Sequence, residues 1–145
     1  MNRAKRLQPV QQIVDDQQRA LARSLAAIEK RLSDAESKLG ELERYRREYE
    51  MQFAMRAQSG IGVMDLRDYQ AFLARLSEAV KQQQAVVQRA HADRDTERTR
   101  WREAATRAKA LDHVVERWRN EERALLDRKE QRESDERAQR KAGIS

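Results

Sequence analysis

The side chains that could take part in catalysis or metal binding are few and scattered along this chain. The two histidines, His91 and His113, are far apart in the sequence, and both are expected on exposed helix surfaces. The carboxylates are spread over helix faces, with no evident cleft that would pair an acid with a base. Gly60 and Gly62 lack the strand, the spacing and the lysine of a phosphate-binding loop. We therefore expect neither enzymatic activity nor a cofactor or metal site.

The composition indicates long helices rather than a compact globule. Charged residues make up 39% of the 145 residues, and there are one proline and four glycines, a profile typical of coiled coils. The absence of cysteine excludes disulfides and thiolate metal sites and fits a reducing cytoplasm. No stretch has the length and apolarity of a membrane span, and no signal peptide is recognisable at the start. We expect a cytoplasmic protein without a transmembrane segment.

The net charge of +6 raises the question of nucleic-acid binding. Phosphate binding needs a stripe of one sign, whereas opposite charges are interleaved here, as in residues 41–48. Interleaved charges are typical of a solvated helix surface. The small one-sign cluster of Arg3, Lys5 and Arg6 is interpreted as a solvated basic end. We therefore expect no nucleic-acid partner.

Apolar residues recur every seven positions in two ladders, and these ladders predict the secondary structure. The rows of the first ladder are Leu7, Val14, Leu21, Ile28, Ala35, Leu42, Tyr49 and Gln11, Gln18, Leu25, Leu32, Leu39, Arg46, Phe53. The rows of the second are Leu66, Leu73, Val80, Val87, Arg94, Trp101, Ala108, Val115 and Tyr69, Leu76, Gln83, Ala90, Glu97, Ala104, Leu111, Trp118, Leu125. Such spacing forms a narrow stripe on a helix, which another helix must cover. Sustained heptads also argue against disorder.

The segment between the ladders, at about residues 57–65, predicts a reversal of the chain. Gly60 and Gly62 supply backbone freedom for the turn. Asp65 is a candidate N-cap for the helix that follows. A short loop between two long amphipathic helices favours an antiparallel pair.

These features predict an all-α fold, a long antiparallel two-helix coiled-coil hairpin with a projecting C-terminal helix. The helices are expected at about 6–55 and 65–137, within a single domain over 1–145. Pro9 fits only the first turn of the first helix, so the residues before it are expected to be frayed or loosely helical.

Centring the turn near Ile61 sets the register of the pair, with Tyr49 opposite Leu73 and Leu42 opposite Val80. The same register puts polar residues in the seam: Ile28 faces Arg94, Leu25 faces Glu97, Gln18 faces Ala104 and Gln11 faces Leu111. Polar seam residues lower stability but select register and partner number. The alternative interpretation is a compliant zone in which the hairpin can bend.

A further group of apolar residues lies beside the seam, where a soluble helix pair is normally polar. Flanking positions of an antiparallel pair share one side, so Tyr45, Phe72 and Ala79 should gather near the turn. They are bordered by Leu42, Tyr49 and Leu76. A contiguous apolar and aromatic patch favours a protein-binding surface, and the alternative is a widened core.

The two predicted helices are unequal, at about 75 Å and about 110 Å. From about Trp118 the second helix should therefore project beyond its partner, with modest support from charges three and four residues apart. Because it carries Trp118, Leu125 and Leu126, this segment is a candidate for insertion into a partner. The alternative is a frayed tail.

Several short stretches occur in a fixed order along a chain of this length, and together they make a specific sequence pattern. They are Arg6-Leu7, residues 42–49, Gly60-Ile61, residues 69–73, residues 82–84, Trp101, residues 109–111, Glu130-Gln131 and residues 135–137. With these stretches, over almost its full length, the chain resembles the FliJ family, the small coiled-coil component of the bacterial flagellar type III export apparatus.

The resemblance implies a non-enzymatic, stalk-like rod at the cytoplasmic face of the inner membrane, bound peripherally at the flagellar basal body. Its implied partners are the flagellar export ATPase, the cytoplasmic domain of the export gate membrane protein, and export chaperones. Carried over by position, the gate-binding surface would be Leu42, Tyr45, Tyr49, Phe72, Leu76 and Ala79. Contact with the ATPase ring is expected at Arg3, Lys5, Arg6, Trp118, Leu125 and Leu126.

Two other interpretations compete with this one. The first is a generic self-associating adaptor or chaperone without a flagellar role. Its copies would form oligomers that contact one another through the face of Tyr45 and Phe72. A nucleic-acid binder, suggested only by the pI near 10.0, would lose affinity steeply as salt is added.

Overall fold

The computed structural model describes residues 3–144, and these are almost entirely helical. Helix α1 spans Arg3–Arg6, α2 spans Gln8–Gln58 and α3 spans Val63–Ile144, with no strand in the described part of the chain. Helices α2 and α3 pack against each other as a hairpin. The predicted all-α hairpin is confirmed.

Contacts group the chain into two units. One is Ala22–Arg100, which contains the turn, and the other joins Met1–Leu21 with Trp101–Ser145. Each unit consists of a stretch of the first half of the chain packed on a stretch of α3.

The seam follows the heptad ladders in both units. Every ladder residue is buried or half-buried except Leu66 and Leu125, which lie at the two ends of α3's apolar rows. The most buried seam residues are Val80 in the first unit and Ala104 and Val115 in the second, each at most 2% exposed. Alternating three- and four-residue spacing therefore identifies the core of each unit.

The turn depends on one glycine in a left-handed conformation. At the end of α2 the amide of Ser59 donates to the carbonyl of Arg56 at 3.0 Å, and the amide of Gly60 donates to the carbonyl of Ala57 at 3.3 Å. Gly60 then adopts a φ of +88°, which side chains with a Cβ disfavour. This position is the usual one for a glycine that ends a helix.

Helix α3 begins earlier than the sequence predicted, and the prediction that Asp65 is its N-cap is wrong. The carbonyl of Gly62 accepts the first helical hydrogen bond, from the amide of Leu66 at 3.0 Å. Glycine is an accepted N-cap residue, so the helix starts at Val63. Asp65 lies in the first turn, where its carboxylate is favoured by the positive end of the helix dipole.

Pro9 lies in the first turn of α2, as predicted. Before it, Arg3–Arg6 form a short helix rather than a frayed end, and residues 1–2 lie outside the described part of the chain. A proline nitrogen cannot donate to the carbonyl of Lys5, so the helix is interrupted. At the interruption, the amide of Leu7 donates to Ala4 at 3.2 Å, and the amide of Gln11 donates to Leu7 at 2.9 Å. Helix α1 is thereby a separate short element.

Polar seam residues are accommodated differently from one layer to the next. The amide of Gln83, which is buried, donates from Nε2 to the carbonyl of Ala35 at 3.0 Å. Glu97 is 8% exposed, and its nearest cation is Arg100 one turn away at 3.6 Å. In the other unit Gln11 donates from Nε2 to Oδ1 of Asp112 at 3.0 Å, beside the predicted Leu111 layer.

The last part of α3 has no covering helix within its unit. Residues 123–143 are all exposed, and the helix continues to Ile144 rather than to about residue 137. Local bonds support it: Gln131 donates to the carboxylate of Asp135 at 3.2 Å, and Arg137 donates to the carbonyl of Glu133 at 3.3 Å. No helix of the described residues is long and apolar enough to cross a membrane.

Candidate functional site

The three tyrosines and two phenylalanines of the sequence lie together near the turn. We call Tyr45, Tyr49, Phe53, Tyr69 and Phe72 the aromatic cluster. Phe53 stacks on Tyr69 with ring centroids 3.5 Å apart, and Tyr49 stacks on Tyr69 at 5.2 Å. Phe72 links this stack to Tyr45, with its ring centroid 4.5 Å from that of Tyr49 and 6.1 Å from that of Tyr45 in an edge-to-face contact. The five rings therefore form one chain of contacts across α2 and α3.

Heptad geometry explains why these rings meet. Tyr49, Phe53 and Tyr69 occupy seam positions, while Tyr45 and Phe72 flank the seam on the same side of the antiparallel pair. The edge-to-face pair of Tyr45 and Phe72 has the geometry and separation at which aromatic rings attract one another beyond the burial of their surface. The cluster is a firm contact between the helices as well as a surface.

The six predicted gate-binding residues differ in how much surface they offer. Tyr45 is 50% exposed and Leu76 only 7%. The other four, Leu42, Tyr49, Phe72 and Ala79, are half-buried. Direct ring contacts bring together Tyr45, Tyr49 and Phe72, whereas Leu76 is a buried core residue of α3.

Phe53 and Tyr69 were missed as members of this site when the sequence alone was considered. Both were assigned to the heptad seam and therefore to the core. The register centred near Ile61 already places them opposite each other, which was the available signal.

The hydroxyl of Tyr69 has a raised pKa. Its partial burial is the largest cause, followed by the negative charge of Glu50 and by neighbouring Tyr49. Because the shift is upward from a value near 10, Tyr69 is a neutral hydrogen-bond donor at physiological pH.

A cavity of about 870 Å³ opens at the turn end of the aromatic cluster. Its walls include the rings of Phe53 and Tyr69, with Met55, Asp65 and Asp68 around them. The apolar residues nearby are prominently exposed, namely Met51, Met55, Val63 and Met64 at 66–70%. Flexible, polarisable methionines suit adaptable protein contacts, so the turn end extends the candidate surface beyond the predicted residues.

The residues predicted to contact an ATPase ring differ in how far they are engaged within the molecule. Arg3 is engaged within the molecule: its guanidinium carbon lies 4.8 Å from the centroid of the Trp118 ring, and its Nη2 lies 3.5 Å from Oε2 of Glu121. Lys5 and Arg6 are exposed on α1. Leu125 and Leu126 are 61% and 60% exposed.

The two histidines lie on α3, 22 positions apart. The side chain of His91 is 43% exposed, and its Nε2 lies 3.1 Å from Oε1 of Glu36 on α2. His113 is exposed, as predicted. Among residues 3–144, no group of three or more histidine or carboxylate side chains could hold a metal ion.

The family model described as "Flagellar FliJ protein" matches residues 3–143 of the chain. No curated protein and no solved structure matches the chain.

Proposed function

The chain belongs to the FliJ family and is thus a component of the flagellar protein export apparatus, within which we propose that it is a stalk-like link between the export ATPase ring and the export gate. The family is a structural export component rather than an enzyme. The observation that carries the proposal is the gathering of the chain's tyrosines and phenylalanines into one partly exposed cluster, which belongs to a different unit of the chain from the residues that would meet the ring.

The gate-binding surface is formed by Tyr45, Tyr49 and Phe72, together with Leu42, Leu76 and Ala79. Aromatic side chains that are partly accessible and held by neighbouring rings bind partners at low entropic cost, and tyrosine adds a polar edge. Tyr45 is the central contact because half of its surface is free. Leu76 acts from beneath by holding Phe72 and Ala79 in place.

The ring-binding part is the segment beyond Trp118 together with α1. Leu125 and Leu126 are exposed apolar residues on a helix that is otherwise highly charged. Apolar side chains in that setting favour burial against another protein. Arg3, Lys5 and Arg6 bring positive charge to the same unit.

Binding to the gate would place the protein peripherally at the cytoplasmic face of the inner membrane, although no helix of residues 3–144 could span a membrane. Assistance to export chaperones is part of the same proposal. Loss of the protein would then impair motility and chemotaxis through failure of flagellar export.

The test replaces Tyr45 and Phe72 by alanine in the full chain. Affinity for the cytoplasmic domain of the gate should fall about tenfold to a hundredfold, since truncating central aromatic contacts typically costs that much. Calorimetry with the purified domain measures it, alongside helicity by circular dichroism and stimulation of the export ATPase, both of which should be retained.

The matched control is Val10→Ala with Ile13→Ala, which removes two exposed apolar residues of α2 that lie outside the candidate surface. It should weaken gate binding much less. Unchanged gate affinity in the Tyr45 and Phe72 variant would show that the surface is assigned to the wrong partner. If that variant instead abolished self-association in sedimentation, the surface would be a contact between copies of the chain.

A further inference from the structure

We propose that the buried pair of Gln83 and Ala35 selects the register of the two helices in the unit Ala22–Arg100 and thereby positions Tyr45 of α2 beside Phe72 of α3. Neither Gln83 nor Ala35 belongs to the aromatic cluster itself. Because the two residues act on how the cluster is assembled, their role does not depend on which partner binds there.

The ion pairs between the helices of this unit do not specify one register. Glu36 pairs with His91 at 3.1 Å, and Glu29 pairs with Arg98 at 3.6 Å. Glutamates recur every seven residues along this edge of α2, at Glu29, Glu36, Glu43 and Glu50. If α3 were displaced by one heptad towards the turn, His91 would face Glu43 and Arg98 would face Glu36. Both ion pairs would therefore form again.

The apolar rows tolerate the same displacement. Tyr49, whose ring centroid lies 4.5 Å from that of Phe72, would then face Leu76. Tyr45 would face Ala79 in place of Phe72, so its edge-to-face contact at 6.1 Å would be lost. The displaced pair would keep an apolar seam, but it would no longer present the aromatic cluster.

The contact between Gln83 and Ala35, by contrast, forms in one register alone. Gln83 is 8% exposed, and its Nε2 donates to the carbonyl of Ala35 at 3.0 Å. A helical carbonyl has a second lone pair that can accept this bond, and the small side chain of Ala35 leaves room for the amide to approach. Ala35 is the one small residue in its row of α2, whose other members are Leu7, Val14, Leu21, Ile28, Leu42 and Tyr49.

Displacement by one heptad in either direction would put Ile28 or Leu42 opposite Gln83. Both side chains are larger and branched, and they would keep the amide away from the helix carbonyl. The amide would then be buried without an acceptor, which is unfavourable because its hydration is not replaced. A polar residue at a seam position selects the register of a coiled coil in this way. Gly60 favours the same register, because its positive φ lies where the chain reverses.

The experiment measures the register directly in the full chain. The sequence has no cysteine, so Ser33→Cys and Ala74→Cys introduce two nitroxide labels at exposed positions of α2 and α3. Double electron–electron resonance gives the distance between the labels. A displacement of seven residues changes their separation along the helices by about 10 Å, at about 1.5 Å per residue. Gln83→Leu is compared with Gln84→Leu, which makes the same change at an exposed neighbour.

A second variant moves the small residue without changing the composition of the chain. Ala35→Leu combined with Leu42→Ala puts alanine one heptad nearer the turn, where Gln83 can reach the carbonyl of residue 42 in the displaced register. The parent chain and Gln84→Leu should each give one distance. Gln83→Leu should add a second population shifted by about 10 Å, and the exchange of residues 35 and 42 should enlarge that population.

Thermal unfolding separates selection of the register from stabilisation of the fold. A polar seam residue lowers stability, so the midpoint of Gln83→Leu should equal or exceed that of the parent chain. A second distance without a loss of stability supports the inference. A single unshifted distance in both Gln83→Leu and the exchange variant would overturn it. Because no partner enters this experiment, either result leaves the proposed gate contact to its own test.

Discussion

At the scale of single residues, the side chains that matter most are those that depart from the usual polarity of their heptad position. Tyr45 and Phe72 are aromatic where a solvated residue is expected, and Glu97 is a carboxylate where an apolar residue is expected. The first departure leaves aromatic surface partly exposed, as is typical of a contact with another protein. The second puts a charge into the seam between the helices.

Replacing Glu97 by leucine should stabilise the protein. The Glu97 side chain is 11% exposed and its carboxylate lies 3.6 Å from the guanidinium of Arg100, which is itself 64% exposed, so this long ion pair compensates poorly for the removal of the carboxylate from water. Replacement of such a buried charge by an apolar side chain of similar size is expected to raise the free energy of unfolding by about 1–2 kcal/mol. Thermal unfolding followed by circular dichroism measures the change.

Glu103→Leu is the control, since Glu103 is exposed on the same helix, and it should leave the midpoint nearly unchanged. A lower midpoint for Glu97→Leu than for the parent chain would show that the carboxylate makes a net favourable contribution in the seam.

Residue types predicted part of the candidate site and missed another part. Tyr45 and Phe72 were identifiable because their positions beside the seam should be polar. Phe53 and Tyr69 were not identified, since an aromatic residue at a seam position looks like ordinary core. The contact of Arg3 with Trp118 was not predictable either, because it depends on the direction α1 takes after the interruption at Leu7.

At the scale of elements, the ends of the helices are determined by backbone chemistry more than by side-chain pattern. The heptad ladders predicted that two long helices form and which residues line their seam. They did not predict that Gly62 caps α3 or that α1 is a separate helix. Both of these depend on local hydrogen bonds, to which the seven-residue spacing is insensitive.

Substituting Gly60 by alanine should destabilise the turn. A Cβ at this position meets nothing within 4 Å, so there is no steric clash with neighbours and the cost arises from the φ of +88°. Holding a residue with a Cβ in the left-handed region costs about 1–2 kcal/mol. Chemical unfolding of the full chain, monitored by circular dichroism, measures the loss.

Gly40→Ala is the matched control, because its added Cβ also meets nothing within 4 Å and Gly40 lies inside α2 with a φ that is not positive. Since alanine is the better helix former, this variant should not lose stability. Equal losses for the two variants would contradict the assignment of the turn's strain to Gly60.

At the scale of the whole molecule, the proposed function depends on two binding surfaces that share no residue. The aromatic cluster belongs to the unit Ala22–Arg100, and the residues proposed to bind the ring belong to the unit that joins Met1–Leu21 with Trp101–Ser145. Sequence periodicity predicted the hairpin. Which partner each surface binds could not be read from periodicity, since apolar exposure indicates a contact without identifying its occupant.

The most direct test of the link is whether both partners bind one molecule at once. Sedimentation velocity of the export ATPase, the cytoplasmic domain of the gate and this protein should reveal a complex that contains all three. Omission of this protein should leave the ATPase and the gate domain as separate species. If adding the gate domain instead released the ATPase from this protein, the two partners would share one surface and the chain would not be a link between them.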